Sequence, residues 1–327
     1  MRIGVIGAGA IGGAIAALLA RDGHDVEVTA RGQNLRVMQH GGIRLTGGWG
    51  DFTADVTAGE SLTRAPALAI VATKAQDARA AILANAKILN GIPVVIVQNG
   101  LEGIAGSVPL LPRSDVVGAL AMYASSLVGP GHINVGTTGT TYIGGGKDLA
   151  ARYAVSILND AMPTELAGNF VGAQWTKLFV NQVNALPAIT GLSVQEVVAN
   201  PQLRRILTRS MQENVRVGLA SGIRFAPLQG LSEARLRIFL RTPLPFAESL
   251  PKLMAKRMGA VPNPGSTLQS IRRGALTEVD YLNGAVVVAA EKAGLTAPVN
   301  AAIVELVHEV ERSNAFMTPA EVAARVR

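Results

Sequence analysis

Cysteine is absent from the chain. Disulfide frameworks, thiolate metal sites and cysteine nucleophiles are thereby excluded, and the usage fits a reducing cytoplasm. Aromatic residues are scarce, at 4%, and no aromatic nucleic-acid-binding motif accompanies the basic residues. Long charge runs are missing too. The formal net charge is +7, yet the densest clusters are the pairs Arg204–Arg205 and Arg272–Arg273. A scattered basic balance favours anionic small molecules, or carries no specific meaning, over nucleic acid or a membrane surface as partners. Histidines number four, and none stands out. His24 and His132 fall in turns, and His40 and His308 read as helix-surface residues. Hydroxy-acid dehydrogenase chemistry built around a catalytic histidine is therefore disfavoured, and no metal site is expected.

The stretch from Ile3 to Ala20 carries no charge, as a membrane span or signal segment would. Gly4, Gly7, Gly9, Gly12 and Gly13 interrupt it, and it splits into a strand-like run, a glycine-rich turn and a helix. It reads as the start of a soluble domain.

What is present is an aliphatic α/β texture: 327 residues, 49% hydrophobic, with 36 glycines. That length predicts two domains. Arg2 to Ile6 reads as a buried strand, Ala10 to Arg21 as a helix and Asp25 to Thr29 as a second strand. A helix follows from Gln33 to His40, with short β-like pieces at Ile43 to Leu45 and Asp51 to Thr53. Ala67 to Ala72 and Pro93 to Val97 are apolar strands, each followed by a helix, from Ala75 to Ala86 and from Leu101 to Leu110. Further strands are predicted at Val116 to Met122, Ile133 to Val135 and Thr140 to Ile143. A helix from Asp148 to Met162 and a strand near Glu165 to Ala167 close this part. Alternation of this kind predicts a doubly wound parallel sheet. After Phe170 the periodicity is helical. The fold expected is α/β: an N-terminal Rossmann domain over 1–168, then an all-helical domain over 169–327. The stretch from Pro243 to Pro264 holds five of the 16 prolines and reads as a connection between helices or a lid.

Gly7-Ala8-Gly9-Ala10-Ile11-Gly12 is a G-x-G-x-x-G pattern placed after a strand and at the start of a helix, the context that makes it a dinucleotide fingerprint. Gly7 permits the tight turn, Gly9 lets the backbone approach a pyrophosphate, and Gly12 allows close helix–strand packing. Free N–H groups and the helix dipole then face the phosphates. After the second strand, where an acidic residue would bind the ribose of NAD, the chain has Arg31. A guanidinium there suits the 2′-phosphate of NADP(H), although a surface arginine fits the same position. Lys74 and Gln98-Asn99-Gly100 stand at the carboxyl ends of the next strands, where ligands lie in open α/β sheets. A solvated lysine and a turn-forming Asn-Gly fit these positions as well.

In the second domain, Lys177, Asn181 and Asn184 are spaced i, i+4 and i+7 on one helix and share a face. Polar groups on a face that would otherwise be core need partners or a cleft. A desolvated lysine there can give a proton to a developing alkoxide. A snorkelling lysine with two surface amides is the alternative. Ser266 and Ser270 are also i, i+4 and could bind a carboxylate. Thr277 reads as the N-cap of a helix start. Glu278 follows as a group that orients Lys177 or assists proton transfer, or as ordinary capping charge.

These segments together resemble the ketopantoate reductase (2-dehydropantoate 2-reductase) family over nearly the whole chain. The resemblance is carried by GAGAIGG at Gly7 to Gly13, TARG at Thr29 to Gly32, TKAQD at Thr73 to Asp77 and QNG at Gln98 to Gly100. It continues in KLFVN at Lys177 to Asn181, STLQSIRRG at Ser266 to Gly274 and TEVDYLNG at Thr277 to Gly284. It implies NADPH-dependent reduction of 2-dehydropantoate to (R)-pantoate in pantothenate and coenzyme A synthesis. By that likeness Lys177 is the general acid and Glu278 supports it. Asn99 and Asn181 contact the substrate or nicotinamide, Ser266 holds the substrate carboxylate, and Lys74 lines the cleft. The resemblance leaves room for a homodimer through the helical domain. Two positions depart from the family's pattern. Many members carry a second asparagine where Ala185 stands, one residue after Asn184, and better-known members carry aspartate where Ser270 stands. Both lie at the substrate end, so reduction of another small 2-keto acid stays open. So does a non-catalytic NADPH-binding regulator, which the intact Lys177 and Glu278 disfavour.

Overall fold

The computed structural model describes residues 1–326, and the chain separates into two compact units, Met1–Phe170 and Val171–Arg327. The expected boundary lay two residues earlier, after Gly168. The first unit opens with strand β1 (Arg2–Ile6), helix α1 (Ala10–Arg21), strand β2 (Asp25–Thr29) and helix α2 (Gly32–Gly41). Short strands β3 (Ile43–Gly47), β4 (Phe52–Ala54) and β5 (Thr57–Gly59) follow, then β6 (Leu68–Val71), α3 (Ala75–Leu89) and β7 (Val94–Val97). The segment predicted as one helix from Leu101 to Leu110 is a short helix α4 (Gly103–Ser107) tightened into a 3-10 turn, Val108–Leu110, where Pro109 enters. The unit closes with β8 (Val116–Ala121), β9 (Ala124–Gly129), β10 (His132–Thr137), β11 (Thr141–Gly144), α5 (Asp148–Ala161) and β12 (Thr164–Leu166).

Eight strands form one sheet in the order β12-β11-β8-β7-β6-β1-β2-β5. Every pairing in it is parallel except β8 with β11. Every residue of β6, β7 and β8 is buried, as strands covered on both faces require. Period-two alternation divides their side chains. Leu68 and Ile70 of β6 join the core under α1 and α5, and Ala69 and Val71 join the core under α3. The remaining strands make a second sheet, β4-β3-β10-β9, which the sequence reading did not separate from the first. His132, assigned to a turn, is the first residue of β10.

Helix α6 (Phe170–Asn181) begins on the last residue of the first unit, and the second unit continues through α7 (Ala185–Thr190), α8 (Val194–Ala199) and the long α9 (Pro201–Ala220). Helices α10 (Glu233–Arg241), α11 (Leu244–Ala247), α12 (Ser249–Arg257) and α13 (Gly265–Arg272) follow, then α14 (Asn283–Lys292), α15 (Pro298–Ser313) and α16 (Pro319–Arg325). Helices α11 and α12 occupy most of the proline-rich stretch read as a connection or lid. Pro245 and Pro251 fall in the first turns of these helices, where the missing N–H costs no intrahelical bond. Among the described residues no helix is long and apolar enough to cross a membrane.

Candidate active site

In the first unit the glycine turn is held by the strand beside it. The Gly7 N–H donates to Thr29 Oγ1 at 3.0 Å, and the Ala8 N–H donates to the Thr29 carbonyl at 2.9 Å. Gly7 has φ +96°, a region closed to most side chains. A β-carbon on Gly12 would collide with the Gly7 carbonyl oxygen and stand 2.9 Å from the Ala72 β-carbon. At Gly9 a β-carbon would meet nothing within 4 Å. The three glycines thus divide into turn, open approach and close packing, as the fingerprint predicts. Gly9 is the N-cap of α1, with no side-chain cap and no acidic residue in the first turn. The half-buried Ala10 and Ile11 follow it. The end of this helix therefore offers N–H groups and a positive dipole to an anion. Asn34, not singled out in the sequence, braces the turn: Nδ2 donates to the Ala8 carbonyl at 2.9 Å, and Oδ1 accepts from the Gly131 N–H at 2.7 Å.

Arg31 is exposed and is the N-cap residue of α2, two residues beyond β2. Lys74 and Asn99 are half-buried beyond the carboxyl ends of β6 and β7. Gln98 Nε2 donates to the Thr73 carbonyl at 3.1 Å and ties these two strand ends together.

In the second unit Lys177 lies half-buried on α6. Desolvation lowers its pKa from the ordinary lysine value to about 8, against an opposing Coulombic influence from Glu278. Asn181 is the last residue of the same helix, one turn on. Asn184 departs from the expected continuous helix. It stands in a 3-10 turn, Gln182–Asn184, and its Oδ1 accepts from the Ser266 N–H at 3.4 Å. It serves an orphan donor in the first turn of α13. Ser266 is exposed, while Ser270 is buried and donates its hydroxyl to the Ser266 carbonyl at 3.2 Å. The pair therefore does not present two equivalent hydroxyls. Thr277 is not the N-cap of a helix: Glu278 holds the N-cap position of a 3-10 turn, Val279–Tyr281. Thr277 Oγ1 instead accepts from the Val279 N–H at 3.2 Å.

Behind the 3-10 turn after α6 lies a polar network that the sequence reading missed. Asn283 Nδ2 donates to Gln182 Oε1 at 2.7 Å and to Asn300 Oδ1 at 2.9 Å. Ser210 Oγ donates to Gln182 Oε1 at 2.6 Å. Asn300 Nδ2 donates to Glu213 Oε2 at 2.7 Å. All five side chains are buried. In sequence they are scattered over α9, α14, α15 and the turn, and only the buried phase of each helix distinguishes them.

A Rossmann unit with an open phosphate turn, followed by a helical unit that holds a desolvated lysine within the influence of a glutamate, defines a dinucleotide-dependent oxidoreductase. Residues 3–148 match the family described as ketopantoate reductase PanE/ApbA, and residues 169–311 match its C-terminal domain. The chain belongs to the ketopantoate reductase family. It is 28% identical over 320 residues to the 2-dehydropantoate 2-reductase of Archaeoglobus fulgidus, covering 95% of this chain and 98% of that one. The crystal structure of a PanE/ApbA family ketopantoate reductase from Ralstonia eutropha JMP134 superposes with a TM-score of 0.82 at 27% identity, over 95% of this chain and 99% of that one. A ternary structure of D-mandelate dehydrogenase with NADH and anilino(oxo)acetate has a TM-score of 0.81 at 20% identity, over 96% of this chain and 100% of that one. That last likeness is one of fold.

Proposed function

We propose that the protein reduces 2-dehydropantoate to (R)-pantoate with NADPH, that Lys177 is the proton donor, and that the product enters pantothenate and coenzyme A synthesis. The observation that carries this reading is the half-buried Lys177 amine, poised near pH 8 by desolvation against Glu278. An acid is most effective when its pKa lies near the working pH. The open space at Gly9 and the uncapped start of α1 fit a dinucleotide pyrophosphate. Arg31 is the exposed cation available to a 2′-phosphate. When bound, the reduced nicotinamide supplies a hydride to the keto carbon. Lys177 Nζ holds a proton below about pH 8 and passes it to the keto oxygen as charge develops there. Glu278 favours the protonated amine. Asn99 and Asn181 are assigned to the substrate or nicotinamide amide, Ser266 to the substrate carboxylate, and Lys74 to the cofactor phosphates or substrate.

Replacement Lys177→Ala tests the assignment. It is expected to lower kcat by about 10²–10⁴-fold, the usual contribution of a positioned acid, while NADPH affinity holds. A variant with near-native kcat removes Lys177 from the mechanism.

A second reading, reduction of another small 2-keto acid, has its own support. The buried Ser270 stands where better-known members carry aspartate, so this helix offers a neutral hydroxyl in place of a carboxylate. The fold neighbour D-mandelate dehydrogenase was solved with a different 2-oxo acid derivative, anilino(oxo)acetate.

A further inference from the structure

His308 stands on α15 with both ring nitrogens engaged. Nδ1 is 2.7 Å from Glu311 Oε2, one turn along the same helix, and Nε2 is 2.9 Å from Asp280 Oδ1 in the 3-10 turn before α14. Glu311 uses its other oxygen to accept the Thr277 N–H at 2.7 Å. The chain from Thr277 to Asp280 is therefore pinned to α15 at both ends, and Glu278 lies between the two pins. Glu278 is also the residue whose charge acts on Lys177.

We propose that His308 is a positioning residue for the reduction: by bridging Asp280 and Glu311 it fixes the Thr277–Asp280 segment and keeps the Glu278 carboxylate within electrostatic reach of Lys177. The inference deepens the reading of Lys177 as the proton donor and rests on it. Only the doubly protonated ring can donate to both carboxylates at once. Such charge-assisted bonds are stronger than neutral ones and hold geometry. Glu311 is largely buried, at 10% side-chain exposure, while Asp280 is 59% exposed. Partial burial pulls the His308 pKa down, but the hydrogen bonds to Glu311 and Asp280 and the charges of both outweigh it and raise the pKa above the ordinary histidine value. Helices α7, α9 and α14 also pack on α15. Among the described residues, the charged groups set against the ring are Asp280 from the turn and Glu311 from its own helix. The clamp is complete below the pKa of a free histidine, about 6.5. It is lost as pH rises through the raised folded value.

The test uses His308→Leu, which removes both bonds, and His308→Gln, which keeps one neutral donor and guards against a variant that fails to fold. Two quantities are read for each: the Lys177 amine titration, by 15N NMR of labelled lysine, and the pH profile of kcat for keto-acid reduction. Because Glu278 raises the Lys177 pKa, loosening its segment is expected to move the Lys177 titration down by about half a pH unit or more. The alkaline limb of kcat moves with it, KM for NADPH is unchanged, and His308→Gln lies between wild type and leucine. In a Glu278→Gln background His308→Leu is expected to shift nothing further. A lowered melting temperature with an unmoved Lys177 titration overturns the proposal, as does an additive effect on top of Glu278→Gln. A moved titration in a protein whose Lys177→Ala variant keeps full activity preserves the clamp and removes the acid role instead.

Discussion

Gly12 leaves no room for a β-carbon against the Gly7 carbonyl oxygen, and Gly9, three residues earlier, has empty space around the same position. One short motif thus holds a packing glycine and a glycine open to an approaching group, and substitution separates them. Gly12→Ala is expected to destabilise the first unit by about 1–3 kcal/mol or more, the cost of overpacking against backbone and Ala72. Gly9→Ala is expected to cost under about 1 kcal/mol while weakening dinucleotide binding at least roughly 10-fold, through steric exclusion of the pyrophosphate. Thermal unfolding and cofactor titration of both variants check the contrast. Equal stability losses would contradict it.

Arg31 follows the strand whose Thr29 anchors the glycine turn. Arg31→Ala is expected to weaken NADPH by roughly 10- to 100-fold, the worth of a charge-assisted phosphate contact, and to leave NADH nearly unchanged. Fluorescence titration with both cofactors measures this. An equal loss for the two would remove the 2′-phosphate role.

The Lys177 pKa of about 8 sets a sign for pH dependence. Under the proposed mechanism Lys177 gives a proton only when protonated, so kcat for reduction is expected to be level below that pH and to fall as pH rises through it. Glu278→Gln removes the influence that raises the value, so its alkaline limb is expected at lower pH. A limb that stays put or moves upward would sever the link between the two residues.

Asn300 joins α15 to the buried network around Gln182, Ser210, Asn283 and Glu213. Asn300→Ala leaves several buried donors and acceptors unpaired and is expected to cost about 2–4 kcal/mol. Denaturant unfolding of the variant gives the value, and a loss below about 0.5 kcal/mol would mean that the network contributes little.

The first unit was legible where local signals are strong. β1, α1 and β2 begin and end where periodicity and glycine place them. β9 was not read, because Ala124–Gly129 has little hydrophobic alternation and owes its conformation to pairing with β10. β5 is three residues held on the edge of β2. In the second unit the spacing of Lys177 and Asn181 was visible, but the 3-10 turn that holds Asn184 and its contact with Ser266, 82 residues distant, were not. His308 was read as a surface residue. Its pairing with Glu311 is local, whereas Asp280 reaches it from 28 residues away, a relationship no periodicity encodes.

The central claim is tested most directly by following NADPH oxidation with 2-dehydropantoate beside a panel of other 2-keto acids, and repeating the series with NADH. The account predicts kcat/KM for 2-dehydropantoate of about 10⁴ M⁻¹s⁻¹ or more, well above the panel and higher with NADPH than with NADH. A better substrate within the panel would contradict the assigned substrate while leaving the Lys177 chemistry in place, and no turnover of any keto acid would contradict the reductase reading itself.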